Sequence, residues 1–397
     1  MPLPAYATSL LVKYLIKEDI GRKNVKKEDD MKENTKMQRR TFLRTVALGG
    51  VATAATLTSM SPSKVFSQSK EEWRVINNWG QEPDDHMKLF AKMVSEGTDG
   101  RITIKYFGPG KIVPFPKTID AVADGTVEMG TGQPTFWTKK VPAMQFLHNT
   151  PFGLTGQEQN AWFAFGGGQE LADKVYAEVG CKFFPFGNTD CQMGGWFNKE
   201  INSIGDFKGL KIRIGGFAGE TLKAAGAEVV SVPMSKLTQA LKDGEIEAVE
   251  FAGPNIDMNF GFYKVAKYYY FPAWHEPSGA FDLFINKAKW DALPSDVKAV
   301  ITAAAGAVNS HKLCYRMATN CAALAKLTDE YGVQLKQFSD ELLKELALLS
   351  DNVLKERASK DKLGEEILNS ITEFRKNAVG LAAVQLQPYL AARSAVL

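Results

Sequence analysis

Apolar positions along this chain switch repeatedly between a period of two and a helical period, which marks alternating strands and helices. Residues 73–79 read as a strand. Residues 84–96 carry Met87, Phe90, Ala91, Met93 and Val94 at helical spacing and stop at Gly97. Residues 101–107 alternate through Ile102, Ile104 and Tyr106, and Gly108-Pro109-Gly110 breaks that strand. A helix at 119–123 and a strand at 127–130 complete a βαβαβ start, which predicts an α/β domain with a mainly parallel sheet.

The alternation then repeats. Helices are expected at 157–164 and 169–179, separated by Gly166-Gly167-Gly168, and strands at 181–186, 193–198 and 211–214. A helix at 218–225, a strand at 228–230, a helix at 235–242 ended by Gly244 and a strand at 248–251 follow. A strand returns at 281–286, and from Pro294 the pattern is nearly all helix, at 294–330, 338–358 and 362–394. Tyr268-Tyr269-Tyr270 is either a hinge cluster or core. Two α/β domains joined by more than one crossing imply a cleft, where open α/β sheets bind ligands.

The N-terminus has a different grammar. Met37-Gln38-Arg39-Arg40-Thr41-Phe42-Leu43-Arg44 precedes a mildly apolar run at 45–59 and a small-residue exit ending near Ser67. That order of basic, apolar and cleavable segments is the layout of an export signal. Arg39-Arg40 with Phe42-Leu43 resembles the twin-arginine motif, with Gln38 where Ser or Thr is usual. The run is too short and polar for a membrane anchor. Residues 1–30 lie upstream of a complete signal, so the start is expected at Met31 or Met37, and residues 1–67 are set apart from the folded chain.

Composition narrows little further. A formal net charge of +3 and no basic stripe with interleaved aromatics give no reason to expect a nucleic-acid partner. The four cysteines, Cys181, Cys191, Cys314 and Cys321, lack any CxxC or Cys/His metal spacing and are expected to be free and buried. The four histidines are scattered, with His275 the one expected near a cleft. No nucleophile elbow, GxGxxG, Walker loop or HExxH is present. From Ala378 the last helix becomes almost apolar, which leaves either packing on its own domain or a homodimer through the C-terminal helices.

The most informative stretch is Gly209-Leu210-Lys211-Ile212-Arg213-Ile214-Gly215-Gly216. In a strand Arg213 faces away from Ile212 and Ile214, so if the isoleucines are core the guanidinium points out of it. The following glycines let a ligand approach the backbone. A fixed arginine there suits a carboxylate held in a bidentate fork; the alternative is a solvated edge strand.

At this point the chain resembles the periplasmic solute-binding proteins of TRAP transporters (DctP-type), in the subgroup that binds α-keto acids and other small carboxylates. The resemblance covers about residues 72–380. It rests on Gly187-Asn188-Thr189 leading into Gln192-Met193-Gly194-Gly195-Trp196-Phe197, on the Arg213 segment, on Glu245-Ile246-Glu247-Ala248-Val249-Glu250, on residues 261–270, and on Trp274-His275-Glu276. It implies a two-domain clamshell of α/β class with a hinge, a long inter-domain helix and a helical C-terminal tail. The expected lobes are 68–190 plus about 280–318, and 191–279 plus about 319–397. It also implies a periplasmic protein that hands one organic acid to sodium-driven permease subunits. Carried over by position, Arg213 anchors the carboxylate, Gln192 touches both acid and cation, and Glu250, the Phe251 carbonyl and Glu276 complete the cation shell. Thr135, Phe136 and Trp137 wall the pocket from the other lobe, with Asn188 and Trp79 also expected to face it. The family often has a tryptophan where this chain has Phe251, so the same substrate is not implied.

Such hard oxygen ligands suit Na+ or Ca2+ bridging the substrate carboxylate. If both glutamates ligate, charge balance favours calcium; if Glu276 is neutral or faces solvent, it favours sodium. The expected ligand is a small 2-oxo or 2-hydroxy acid such as pyruvate or lactate, and no catalysis is expected. An exported enzyme and a ligand-sensing module remain the alternatives.

Overall fold

The computed structural model describes residues 70–78 and 85–396; the expected export signal at 37–67 and Trp79 fall outside the described residues. Two mixed sheets organise the chain. The first contains β1 (Glu71–Asn77), β2 (Ile102–Phe107), β3 (Met129–Gly132), β4 (Cys181–Asn188) and β10 (Ala280–Asn286), in the order β2-β1-β3-β10-β4. The second contains β5 (Gly195–Phe197), β6 (Lys211–Arg213), β7 (Glu228–Val229), β8 (Ala248–Val249), β9 (Tyr268–Phe271) and β11 (Gln334–Gln337), in the order β11-β9-β5-β8-β6-β7.

The expected mainly parallel sheets are corrected at two strands. β10 runs antiparallel to both β3 and β4, and β5 antiparallel to both β8 and β9. Each enters its sheet after a crossing from the other one, so it arrives from the opposite end, which a local apolar pattern does not record. Tyr268-Tyr269-Tyr270 is strand β9 rather than a hinge, with Tyr269 and Tyr270 buried.

The helix Ser295–Ala325 packs on β4 and on the helix Asp85–Gly97 of the first sheet, and also on the helix Pro254–Phe260 of the second. It therefore spans both halves. The C-terminal helices depart from the expected division. The helix Asp340–Ala358 places Leu342 and Leu346 in the second sheet's core but Leu354 and Ala358 in the first's. The next helix, Lys362–Val384, buries Ile367 and Ile371 beside Phe146 and Trp162 of the first half, and the Trp162 indole donates to Ser370 Oγ at 3.0 Å. Each such fully buried aliphatic side chain contributes about 1.5–3 kcal/mol. The expected single last helix breaks at Gln385, and Leu386–Ser394 continues alone. Three of the four free cysteines, Cys191, Cys314 and Cys321, are exposed; only Cys181 is buried.

Each half carries the same polar device in its core. Asp282 accepts from the Trp137 indole at 3.0 Å and from the Tyr176 hydroxyl. Asp257 accepts from the Trp196 indole at 3.0 Å and from the Tyr269 hydroxyl at 2.8 Å, while Trp196 and Tyr269 stack with centroids 3.9 Å apart. Burial pushes the Asp257 carboxyl up to about 7 and the Asp282 carboxyl to about 6, against the pull of these hydrogen bonds.

Because the folded Asp257 value lies above the unfolded one, the native state binds the extra proton between them. The stability this contributes is complete at low pH and is lost as pH rises through about 7. Asp257→Asn keeps an acceptor and removes that titration. Thermal denaturation is expected to show the variant gaining on the wild type as pH rises from about 5 to about 8.

Candidate functional site

The chain crosses between the sheets through residues 189–194, after β4, and through residues 272–279, before β10. These crossings bond to each other. Thr189 N donates to Gly279 O at 2.9 Å, Gly279 N to Thr189 Oγ1 at 2.7 Å, and Gln192 N to Glu276 O at 3.4 Å. Gly279 sits where a Cβ would collide with the Glu276 carboxylate and lie 2.7 Å from the His148 ring.

A cavity of about 560 Å³ opens against this crossing point, within the size range of small-molecule sites. Asn78, Gln133, Thr135 and Phe136 line it from the first sheet's loops, and Arg213, Gly216, Glu250 and Phe251 from the second's. Thr189, Gln192, His275 and Glu276 line it from the crossings.

Ile212 and Ile214 are buried in the second core, and the alternation of β6 turns Arg213 to the cavity. β6 lies between β8 and β7, which removes the edge-strand alternative. Arg213 Nη1 donates to the Glu250 carbonyl at 2.6 Å, and its guanidinium lies 5.3 Å from the centre of the Phe251 ring. Directly after β6 the helix Gly216–Ala224 begins, and Gly215 to Ala218 line the cavity. Gly215 caps it without a side chain, so the first-turn N–H groups and the positive end of the helix dipole add to the guanidinium. This corner is built for an anion.

The opposite corner is built of oxygens. Gln192 Nε2 donates to Glu276 Oε1. A carboxylate only accepts, so the amide nitrogen must face it, and Gln192 Oε1 is left buried without a partner. Glu250, 6% exposed, has Oε1 3.1 Å from His275 Nε2, an ion-pair neighbour without hydrogen-bond alignment, so this buried oxygen accepts no hydrogen bond. Glu276 accepts from Asn149 Nδ2 at 2.7 Å, and its Oε1 lies 3.5 Å from His148 Nε2. Burial works to raise the Glu276 carboxyl, yet His148 first and His275 after it hold it below the ordinary glutamate value. Burial likewise works to lower both imidazoles, but Glu276 raises His148 and Glu250 raises His275 above the usual value. Buried oxygens without donors fit a hard cation. Among the described residues no three His, Cys, Asp or Glu side chains converge in a way that holds a metal, and Gln192 adds an amide oxygen beside the Glu250 and Glu276 carboxylates.

Of the residues expected from sequence, Arg213, Gln192, Glu250, Phe251, Glu276, Thr135 and Phe136 line this one cavity. Trp137 and Asn188 do not. Residues 134–137 form a 3-10 turn, in which successive side chains point about 120° apart, so Trp137 turns into the core when Thr135 and Phe136 face the cavity. Asn188 is 1% exposed and donates to Gln159 Oε1 at 2.6 Å while its own Oδ1 accepts from Asp190 N at 2.7 Å. Sequence reasoning missed His148 and Asn149, the last residue and the C-cap of a five-residue helix with no marked pattern, and Arg316, which sits amid the long helix.

The sequence profile of the bacterial extracellular solute-binding proteins, family 7 (DctP), matches residues 81–361. A monocarboxylate 2-oxoacid-binding periplasmic protein of Nostoc sp. is 36% identical over 344 residues, 86% of this chain and 94% of the relative. A TRAP periplasmic solute-binding protein from Colwellia psychrerythraea, solved with bound calcium and pyruvate, superposes with a TM-score of 0.77 at 37% identity, covering 82% of this chain and all of that one (100%). One from Pseudoalteromonas atlantica, with sodium and pyruvate, gives 0.75 at 36% identity over 81% of this chain and 99% of that one. One from Bordetella bronchiseptica, a mixed-occupancy dimer with calcium and picolinate in one site, gives 0.75 at 32% identity over 83% and 99%. With two sheets, two bonded crossings and a cavity against them, this chain belongs to the DctP family of TRAP transporter solute-binding proteins.

Proposed function

We propose that this protein captures a small 2-oxo or 2-hydroxy carboxylate together with Na+ or Ca2+ in the cavity, and delivers it to TRAP permease subunits. The observation that carries this reading is the pairing in one cavity of an anion corner, Arg213 and the Gly215–Ala218 amides, with the buried oxygens Gln192 Oε1 and Glu250 Oε1, which accept no hydrogen bond. The ligands of the relatives support it.

In this reading Arg213 holds the carboxylate, with Phe251 stacked on its guanidinium to fix the fork. Gln192 and Glu250 supply side-chain oxygens to the cation, the Phe251 carbonyl a main-chain one, and Glu276 completes the shell while orienting Gln192. A bound cation supplies the positive charge that lets two carboxylates and the acid share a dry site. Thr135 and Phe136 close over the acid from the first lobe. Binding rather than catalysis follows from this set, because none of its groups is a nucleophile paired with a base.

Two finer readings go with it. The segment 37–67 exports the folded protein to the periplasm by the twin-arginine route. The tail pairs two copies: Val379, Leu381, Val384, Leu386 and Tyr389 are each more than half exposed, an apolar load that a lone surface helix does not carry, and the Bordetella relative is a dimer.

Thermal-shift measurements on chelator-stripped mature protein test the main reading. A 2-oxo acid is expected to raise the melting temperature only with calcium or sodium added back. Arg213→Ala is expected to cost roughly 2–5 kcal/mol of binding, about thirtyfold or more. No cation-dependent shift with any small carboxylate would overturn the assignment. Gly279→Ala, which displaces Glu276 and His148, is expected to leave a folded protein by circular dichroism but weaken the cation requirement's midpoint about tenfold. Leu381→Asp with Val384→Asp is expected to shift light scattering from dimer to monomer while acid binding persists.

A further inference from the structure

The helix Gly156–Phe165 turns Gly156, Gln159, Trp162 and Phe163 inward, and Gln159 is only 5% exposed. A polar side chain in such a place costs stability unless its hydrogen bonds are met. Gln159 meets them with partners from three separate segments. Its Nε2 donates to the His148 carbonyl at 2.8 Å, and its Oε1 accepts from Asn188 Nδ2 at 2.6 Å and from Ser278 Oγ at 3.1 Å. A carbonyl only accepts, so the amide fits only this way round. Asn188 ends β4 just before the crossing at 189–194, and Ser278 belongs to the crossing at 272–279. The next residue extends the grip to the spanning helix. Asn160 Oδ1 accepts from Asn309 Nδ2 at 2.9 Å, and Asn309 Oδ1 accepts from Gly187 N at 2.7 Å.

The third segment reaches the site. The carbonyl that Gln159 holds belongs to the planar peptide joining His148 to Asn149. Fixing that plane orients both residues, and both hold Glu276. Asn149 Nδ2 donates to Glu276 Oε2 at 2.7 Å, and His148 Nε2 lies 3.5 Å from Glu276 Oε1. The backbone has weak support of its own here: His148 ends a five-residue helix, and Asn149 N reaches Gln145 O only at 3.4 Å. Gln159 does not line the cavity, so it meets the site through these two residues and not by touching a ligand. Groups that orient a metal's ligands set its affinity along with the ligands themselves.

We propose that Gln159 is a positioning residue of the cation site: by tying the His148–Asn149 peptide to both crossings, it fixes the Glu276 carboxylate for the cation. This rests on the binding reading above and deepens it. The test is titration of chelator-stripped mature protein with pyruvate and with calcium or sodium, whichever supports binding. Gln159→Glu keeps the shape but sets a carboxylate, which only accepts, against the His148 carbonyl. At pH about 8 it is expected to raise the cation midpoint about tenfold, while pyruvate affinity in saturating cation stays within about threefold. Burial raises the pKa of the introduced carboxyl, and once protonated it donates again, so the gap to wild type is expected to close as pH falls to about 5.5. Gln159→Met is expected to give the tenfold loss at every pH, shrinking to about threefold in an Asn149→Ala background, because the two act in one chain. Ser278→Ala, which removes one of the amide's three partners, is expected to give the same split at about threefold. A cation midpoint within twofold of wild type in the folded variants, or a loss that neither pH nor Asn149→Ala changes, would overturn the positioning role and leave the binding reading intact. Failure of the wild type to bind any 2-oxo acid with either cation would instead sink that reading, and this one with it.

Discussion

The contact on which the rest of the molecule depends joins two short irregular segments. Residues 189–194 and 272–279 have no ladder of their own, yet Thr189, Gly279, Gln192 and Glu276 pair their backbone and side-chain groups across the crossing. Buried main-chain groups must find partners somewhere. Here that demand is met by residues that also line the cavity, so the order of the crossing and the order of the site are one thing. Gly279 is the position where this is tightest, since any side chain there would occupy the space of Glu276.

The site divides its labour by chemistry. Amide N–H groups and a guanidinium gather at the end of β6, and oxygens without donors gather at Gln192 and Glu250. Arg213 touches both, because it lines the cavity and its Nη1 donates to the Glu250 carbonyl. A ligand with a carboxylate beside a second oxygen, joined to a cation, matches both corners at once. The paired histidines His148 and His275 moderate the carboxylates from behind, which lets two glutamates approach one cavity without mutual repulsion deciding the fold.

Much of this was legible in the chain, and for definable reasons. The Ile212-Arg213-Ile214 alternation and the glycines after it gave the direction of the guanidinium, because strand periodicity is local. The family motifs gave Gln192, Glu250 and Glu276 their common destination. What stayed hidden depends on geometry beyond the local period. The resemblance assigns Trp137 to the pocket wall together with Phe136, but a 3-10 turn sends adjacent side chains in different directions. Asn188 ends a strand whose last side chain turns back to cap Asp190. β10 and β5 read as ordinary strands, and only the crossings decide that they run antiparallel. Arg316 lies inside a long helix, where the local spacing does not set it apart. Its burial comes from two halves meeting on either side of that helix.

The helix Asp340–Ala358 has a mechanical consequence. Leu342 and Leu346 are rooted in one core, Leu354 and Ala358 in the other, with roughly 18 Å of helix between the outer pairs. Packed side chains tolerate sliding far better than separation, so any opening of the two halves must turn about an axis close to this rod. The rod then behaves as a torsion bar rooted in both cores. Displacements near it stay small, while the leverage of each half enlarges them at the mouth of the cleft.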